Sequence, residues 1–385
     1  MYRIFSRALA GAGALGLACA LMAAPAAAQD TVKLGVMLPL SGPAALAGTS
    51  IIEGVRFAAE EANAKGGVLG KQVELFIEND EGSSTKGVTA VRKLIESDGV
   101  VGISGTYVSA VALAASKVAR EFHVPMVSAG STSSNVTDAN EPGDPWFFRA
   151  FPGSVEQARQ SAEDIVHKLG AKRVAIIQEN SIYGSSLADQ LKKDVEAAGG
   201  EIIAIETYNP DERDFYSVLT KLRTQKPEAI YMAGLMDAGA QIIKQSREVG
   251  MDTQLVGSGS MMSDKLIELA GPASEGFAVS SMFEPSTPNP VGQAFTERFR
   301  AQFNKEPDVY SALGYDSMNV LIEAVRRAGK ADGAAIQQAL MHMDDFPLVQ
   351  GPADTTAKFD AQGSVPFKIG LAIVKNGKRE WLPFD

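Results

Sequence analysis

From Val32 onward the chain repeats one pattern: a short Val/Ile-rich run, a loop, then an amphipathic stretch of helical period. No other feature limits the fold as much. Strand-like runs fall at 32–38, 73–78, 100–103, 125–128, 173–178, 201–206, 229–233, 254–257 and 276–281. Helical stretches separate them, at about 48–64, 85–97, 108–121, 154–169, 184–198, 214–225, 238–249 and 263–270. Strands kept apart by helices assemble as parallel sheets with helices on both faces, an α/β fold. The stretch 154–169 shows the logic locally. Ser154 followed by Gln157 has the spacing of a capping box. Val155, Ala158, Ala162, Ile165, Val166 and Leu169 then form one apolar stripe, and Gly170 supplies a stop.

The alternation breaks in two places. Glu141-Pro-Gly-Asp-Pro145 is a turn cluster followed by an extended crossing segment, Trp146 to Pro152. Glu284-Pro-Ser-Thr-Pro-Asn-Pro290 precedes consecutive helices at 291–303, 310–328 and 333–343. The end of the chain reads as a β-hairpin turning on Asn376-Gly377. A chain of 385 residues exceeds one compact core, so two lobes built from discontinuous pieces are expected.

The first 28 residues read as a cleaved export signal. Arg3 and Arg7 precede an apolar run from Ala8 to Met22, and small residues end in Ala26-Ala27-Ala28. Cleavage near Ala28 would remove the only cysteine, Cys19, leaving no disulfide and no thiol nucleophile. Gly16 stands where lipid attachment to Cys19 would need an aliphatic residue, so a lipid anchor is not expected. The whole chain carries a net charge of −10, and the signal contributes only positive side chains. An acidic product is a poor partner for nucleic acid or anionic membrane.

Catalytic and cofactor motifs do not hold up. Gly11-Ala-Gly-Ala-Leu-Gly16 fits a dinucleotide fingerprint by letter but follows no strand, and no cofactor is expected. His123, His167 and His342 are scattered on helix ends and polar faces, without the spacing of a metal site. Ser83-Ser-Thr-Lys86 lacks the companion motifs of an acyl-enzyme and reads as a helix start. What remains are two hydroxyl-rich loops at strand ends, Ser104-Gly-Thr-Tyr107 and Ala129-Gly-Ser-Thr-Ser-Ser-Asn135. Strand C-termini are where open α/β sheets bind ligands, and hydroxyls with free helix amides suit a carboxylate. Helix capping would use the same residues.

These features together resemble the periplasmic solute-binding proteins of branched-chain amino-acid ABC importers. The resemblance rests on Leu34-Gly-Val-Met-Leu-Pro-Leu-Ser-Gly-Pro43, Gly66-Gly-Val-Leu-Gly70, Asn79-Asp80, Val101-Gly102, Phe148-Arg149, Tyr183-Gly184 and Asp214-Phe-Tyr-Ser217, in that order. It implies two flavodoxin-like lobes with parallel sheets joined by three hinge crossings, with the ligand trapped between them. The expected N-terminal lobe is 29–148 plus 279–366, and the C-terminal lobe 149–278 plus 367–385. It further implies a monomer in the periplasm that hands a small ligand to ABC permease subunits, and no enzymatic activity. A sensor's ligand domain would share the same fold.

By the same resemblance, the carboxylate-binding hydroxyl falls at Thr106, the small-residue segment at Gly130, Ser131 and Thr132, and the second-lobe tyrosine at Tyr183. Other positions depart. The aromatic of the first loop is Ala47, and a second-lobe aromatic falls at Leu235-Met236. The acid that pairs with the ligand's amine is Gly259, with Asp237 the nominated substitute. The family's two disulfide positions are Gly82 and Gly105. The expected ligand is a branched-chain or other hydrophobic amino acid, with an amine-free aromatic or aliphatic carboxylate as the alternative.

Overall fold

The computed structural model describes residues 30–382. The export segment, with Cys19 and the Gly11–Gly16 match, lies outside the described residues. In chain order the elements are β1 (Val32–Leu38), α1 (Ala45–Ala64), β2 (Val73–Asn79), α2 (Ser84–Arg92), β3 (Ile103–Gly105), α3 (Ser109–Glu121), β4 (Met126–Val127), α4 (Ser134–Thr137), β5 (Phe147–Phe148) and α5 (Ser154–Glu163). They continue as β6 (Arg173–Glu179), α6 (Ile182–Ala197), β7 (Glu201–Tyr208), α7 (Tyr216–Gln225), β8 (Ala229–Ala233), α8 (Met236–Glu248), β9 (Gln254–Gly257), α9 (Asp264–Ala270) and β10 (Ala278–Ser281). The last are α10 (Pro290–Phe303), α11 (Val309–Ala328), α12 (Gly333–Met341), β11 (Gly370–Lys375) and β12 (Lys378–Leu382).

The strands form two sheets. The first has the order β2-β1-β3-β4-β5, all parallel. In the second, β7-β6-β8-β9-β10 repeat that order in parallel, and the β11–β12 hairpin extends it antiparallel from β10. Both cores follow the flavodoxin-like order, which reverses direction between its first and third strands. The reversal points, β1/β3 and β6/β8, each open a crevice at their strand C-termini. The interior strands are apolar throughout, with all five residues of β8 buried. Helices therefore have to cover both faces. On the first lobe α1 and α11 cross so closely that a Cβ on Gly54 would stand 1.9 Å from Ser311 O, and one on Gly314 2.1 Å from Ile51 O.

Three crossings join the lobes, after β5, after β10 and before β11. They are laced together: Arg149 N donates to Gly363 O at 2.7 Å, Val365 N to Arg149 O at 2.9 Å, and Gly351 N to Met282 O at 2.9 Å.

Three local expectations change. The boundary expected between 278 and 279 would cut β10, whose four residues all pair with β11, so the chain leaves that sheet after Ser281. The strand expected at 100–103 is displaced to Ile103–Gly105, because its pairing with β1 starts at Gly35↔Ile103 and extends to Met37↔Gly105. Ser104 is thus a strand residue, its hydroxyl 2.7 Å from Ser317 in the core. The capping box at Ser154 is not formed: Gly153 is the N-cap, and Gln157 donates its side-chain amide to Pro152 O at 2.9 Å.

Candidate ligand-binding site

The two reversal points face each other across the cleft, and a cavity of about 50 Å³ lies between them. The first lobe contributes Tyr107, the start of α3, Gly130, Thr132 and, from α11, Tyr310 and Leu313. The second contributes Gln157, Glu179, Ser181 to Tyr183, Leu235, Gly259 and Ser260, with Met282 just past the end of β10.

The first-lobe face suits an anion. The N-cap of α3, Val108, has no side chain to accept from the first amides, and the helix's opening residues Ser109 and Ala110 line the cavity. Free amides at a helix N-terminus carry partial positive charge. Beside them the Thr132 hydroxyl is buried with no hydrogen-bond partner among the described residues. The loop that carries it is pinned from behind. Ser154 N donates to Thr132 O at 2.7 Å. The buried Arg149 guanidinium donates to Thr132 O at 3.0 Å, Ser133 O at 3.2 Å and Ser364 Oγ at 3.0 Å. Burial lowers its pKa to about 10, which still leaves it charged at neutral pH. A fixed loop with a cation behind it and a free hydroxyl in front can receive a carboxylate.

The walls are apolar and aromatic. Tyr107 and Tyr310 meet edge to face, with centroids 5.8 Å apart and planes at 83°. Gly130, at φ +154°, leaves room for that packing, since a Cβ there would stand 2.4 Å from Tyr107 Cδ2. Tyr183 completes the wall from the second lobe. Burial pushes the phenols of Tyr107, Tyr183 and Tyr310 up, so all three are neutral. Tyr310 donates across the cleft to Ser260 O, and Ser133 Oγ to Ile182 O at 3.3 Å. The lobes are closed on each other.

The second-lobe face carries acceptors. Glu179 ends β6 and is 5 % exposed. Burial raises its pKa, against hydrogen bonds from the Ser181 hydroxyl and the Leu235 amide. Gln157 presents Oε1, which has no partner among the described residues. A Cβ on Gly259 would lie 2.8 Å from that oxygen.

Of the residues expected at the site, Gly130, Thr132, Tyr183, Leu235 and Gly259 come together around this cavity. Ala47, Met236 and Asp237 line a smaller recess beside it, which shares Leu235, Tyr107 and Tyr310. Thr106 and Ser131 do not line the cavity. The Thr106 hydroxyl donates to the Asp80 carboxylate, and Ser131 Oγ donates to Thr106 O at 2.9 Å. Both brace the wall from inside the lobe. At the two disulfide positions, Gly82 and Gly105 have φ of +69° and +147°, a region that favours glycine. Glu179, Gln157, Tyr107 and Tyr310 also line the cavity and were not among the residues expected there. Glu179 carries a signal legible in the sequence, an acidic residue at the C-terminal end of a strand, where open α/β sheets bind ligands.

Among the described residues no group of three or more His, Cys, Asp or Glu could hold a metal ion, and no helix is long and apolar enough to cross a membrane. Two flavodoxin-like lobes closed over a carboxylate-receptive cavity define a hinged binding protein. The chain belongs to the periplasmic binding protein family, whose model matches residues 31–378. It is 30% identical over 344 residues to the Leu/Ile/Val-binding protein homolog 2 of Brucella abortus (strain 2308), covering 89% of this chain and 91% of that protein. The leucine binding protein LivK of Thermotoga maritima superposes with a TM-score of 0.85 at 29% identity, over 92% of this chain and 98% of that one. LivJ of Streptococcus pneumoniae, solved in complex with isoleucine, gives 0.84 at 26% identity, over 91% and 98%. The family is one of solute-binding proteins, not of enzymes.

Proposed function

We propose that this protein is the periplasmic solute receptor of an ABC importer, binding a small hydrophobic carboxylate between its lobes and delivering it to a membrane permease. The observation that carries the reading is the pairing, in one closed cavity, of the unpartnered Thr132 hydroxyl and the free α3 amides with a wall of Tyr107, Tyr183 and Tyr310. The first receives the carboxylate and the second an apolar side chain. The named ligands of similar proteins, leucine and isoleucine, fit that division. In this reading the lobes comprise, among the described residues, 30–148 with the segment from 282 to 366, and 149–281 with the segment from 367 to 382. The active unit is a monomer.

A second reading, an amine-free aromatic or aliphatic acid, is favoured by Gly259, where no acidic side chain is available. A thermal-shift screen of hydrophobic amino acids beside aromatic and aliphatic acids, followed by calorimetry, tests the proposal. Ligand binding to the native state alone raises the melting temperature. A screen in which no carboxylate moves the melting point defeats it.

A further inference from the structure

We infer that Arg379 is a hinge-side latch, which fixes the second crossing to the second lobe through Glu284 and draws the first lobe into closure through Asp308. None of these three residues lines the ligand cavity. The device acts on the open–closed equilibrium itself, whatever ligand the cleft takes.

β12 is the outermost strand at the hinge end of the second sheet, in the order β12-β11-β10. Arg379 stands near its start and reaches back to the crossing. Its Nε donates to Glu284 Oε1 at 2.8 Å and its Nη2 to Glu284 Oε2 at 3.3 Å, a two-pronged pair whose side chains are only 8 % and 7 % exposed. The third nitrogen, Nη1, lies 2.8 Å from Asp264 Oδ1 at the start of α9, without the alignment of a hydrogen bond. Glu284 follows β10, where the chain has already left the second sheet, and its own segment is tied to the first lobe. Glu284 N donates to Thr287 Oγ1 at 3.1 Å, and Thr287 N to Glu284 O at 2.9 Å. Asn289, which caps α10, donates to Leu348 O at 3.1 Å and to Gly351 O at 3.2 Å. The ion pair therefore joins the terminal hairpin of one lobe to the root of the other.

The charges around it are unequal. Burial works against the guanidinium, but the carboxylates of Glu284, Asp264 and Asp308 outweigh it and raise the pKa of Arg379. These acids belong to three different bodies: the crossing, the second lobe and the first lobe. Asp308 is fixed in the first lobe, where it caps α11 and accepts from Ser311 N at 2.8 Å and from Ser50 Oγ at 2.6 Å. Opening the cleft carries Asp308 away from Arg379, whereas Glu284 and Asp264 stay beside it. The attraction to Asp308 is thus strongest in the closed form. Without Arg379 the sign reverses, because Asp308 would then approach Glu284 and Asp264 with no cation between them.

The test measures the distance between the lobes in the ligand-free full chain by double electron–electron resonance. Cys19 is the chain's only cysteine, so a Cys19→Ala background takes spin labels only at Thr85→Cys and Asp211→Cys. Both positions are exposed, and they follow β2 and β7, the strands of the two sheets farthest from the crossings. Arg379→Met is expected to lower the closed-to-open ratio about threefold to tenfold, and Asp308→Asn to lower it in the same direction. Asparagine can still cap α11 and leaves the buried Arg379–Glu284 pair intact, so that variant carries the test even if Arg379→Met does not fold. In the Asp308→Asn background, Arg379→Met should add little. A purely structural role for Arg379 would give it the same effect in both backgrounds. That result overturns the latch, as does an unchanged ratio in Asp308→Asn or a wild type with no closed population.

Discussion

The hydroxyl of Thr106 donates to the carboxylate of Asp80, inside the first lobe and behind the cavity wall. Asp80 is buried, which raises its pKa, while the Thr106 hydroxyl and the Gly82 amide hold it toward ionisation. Thr106 thus serves the loop scaffold, whereas the Thr132 hydroxyl is left without a partner on the cavity wall. Thr106→Ala should cost about 1–3 kcal/mol of stability by leaving a buried carboxylate short of a donor. Thr132→Ala should leave stability nearly unchanged and weaken ligand binding by about 1.5–3 kcal/mol, the worth of a hydrogen bond to a charged group. Denaturant titration and calorimetry on both variants separate the roles, and the reverse pattern would exchange them.

Position 259 tolerates no side chain without a response from Gln157. Gly259→Ala should push the Gln157 amide aside and weaken binding several-fold, roughly the loss of one neutral hydrogen bond. Gly259→Glu, which also meets Met282, should abolish binding. If Gly259→Glu instead tightened amino-acid binding, an acid at 259 would be accommodated after all.

Closure should depend on the ligand. Tyr183 and the second-lobe residues face the first lobe's loops across one cavity, so a ligand that touches both faces should favour the closed state. Small-angle scattering should give a smaller radius of gyration with saturating ligand than without. Identical curves would mean that the lobes do not hinge.

Asp316 on α11 should make stability depend on pH. Its carboxylate accepts from Val349 N at 3.0 Å, Gln350 N at 3.3 Å and Gln350 Nε2 at 3.0 Å, which anchors the chain just before the third crossing. Burial outweighs these donors and pushes its pKa up to about 7. Between the ordinary carboxylate pKa of about 3.9 and that value, the folded state holds a proton that the unfolded state has released. This group's contribution therefore falls as pH rises from about 4 to about 7 and is level above that. Asp316→Asn, whose amide nitrogen would confront donors, should be less stable than wild type, with the gap largest near pH 4 to 5 and narrowing towards pH 8. A gap independent of pH would remove Asp316 as the cause.

Much of the scaffold was legible because its signals are local. The run Val32–Leu38 forms β1 with the expected bounds, Ala229–Ala233 forms β8, and Asn376-Gly377 turns the terminal hairpin. The same local logic misplaced Ser104 and misread Gln157. Whether a residue ends a strand or opens a loop was settled at Gly105 by pairing with β1, which lies far away in the sequence. Ser-x-x-Gln spacing is compatible with a capping box, but Gly153 took the cap and released Gln157 towards the cleft.

Hydrophobic period and turn chemistry act over a few residues, so the sequence by itself determined the α/β alternation, the two lobes and the hydroxyl-rich loops on the first of them. The cavity is different. It gathers Tyr107, Thr132, Gln157, Glu179, Gly259 and Tyr310 from six separate segments on two lobes. Which hydroxyl is spent on Asp80 and which is free follows from how those segments are packed and closed on one another. Burial and unmatched charge are properties of the assembled cleft, and only the tertiary structure decided them.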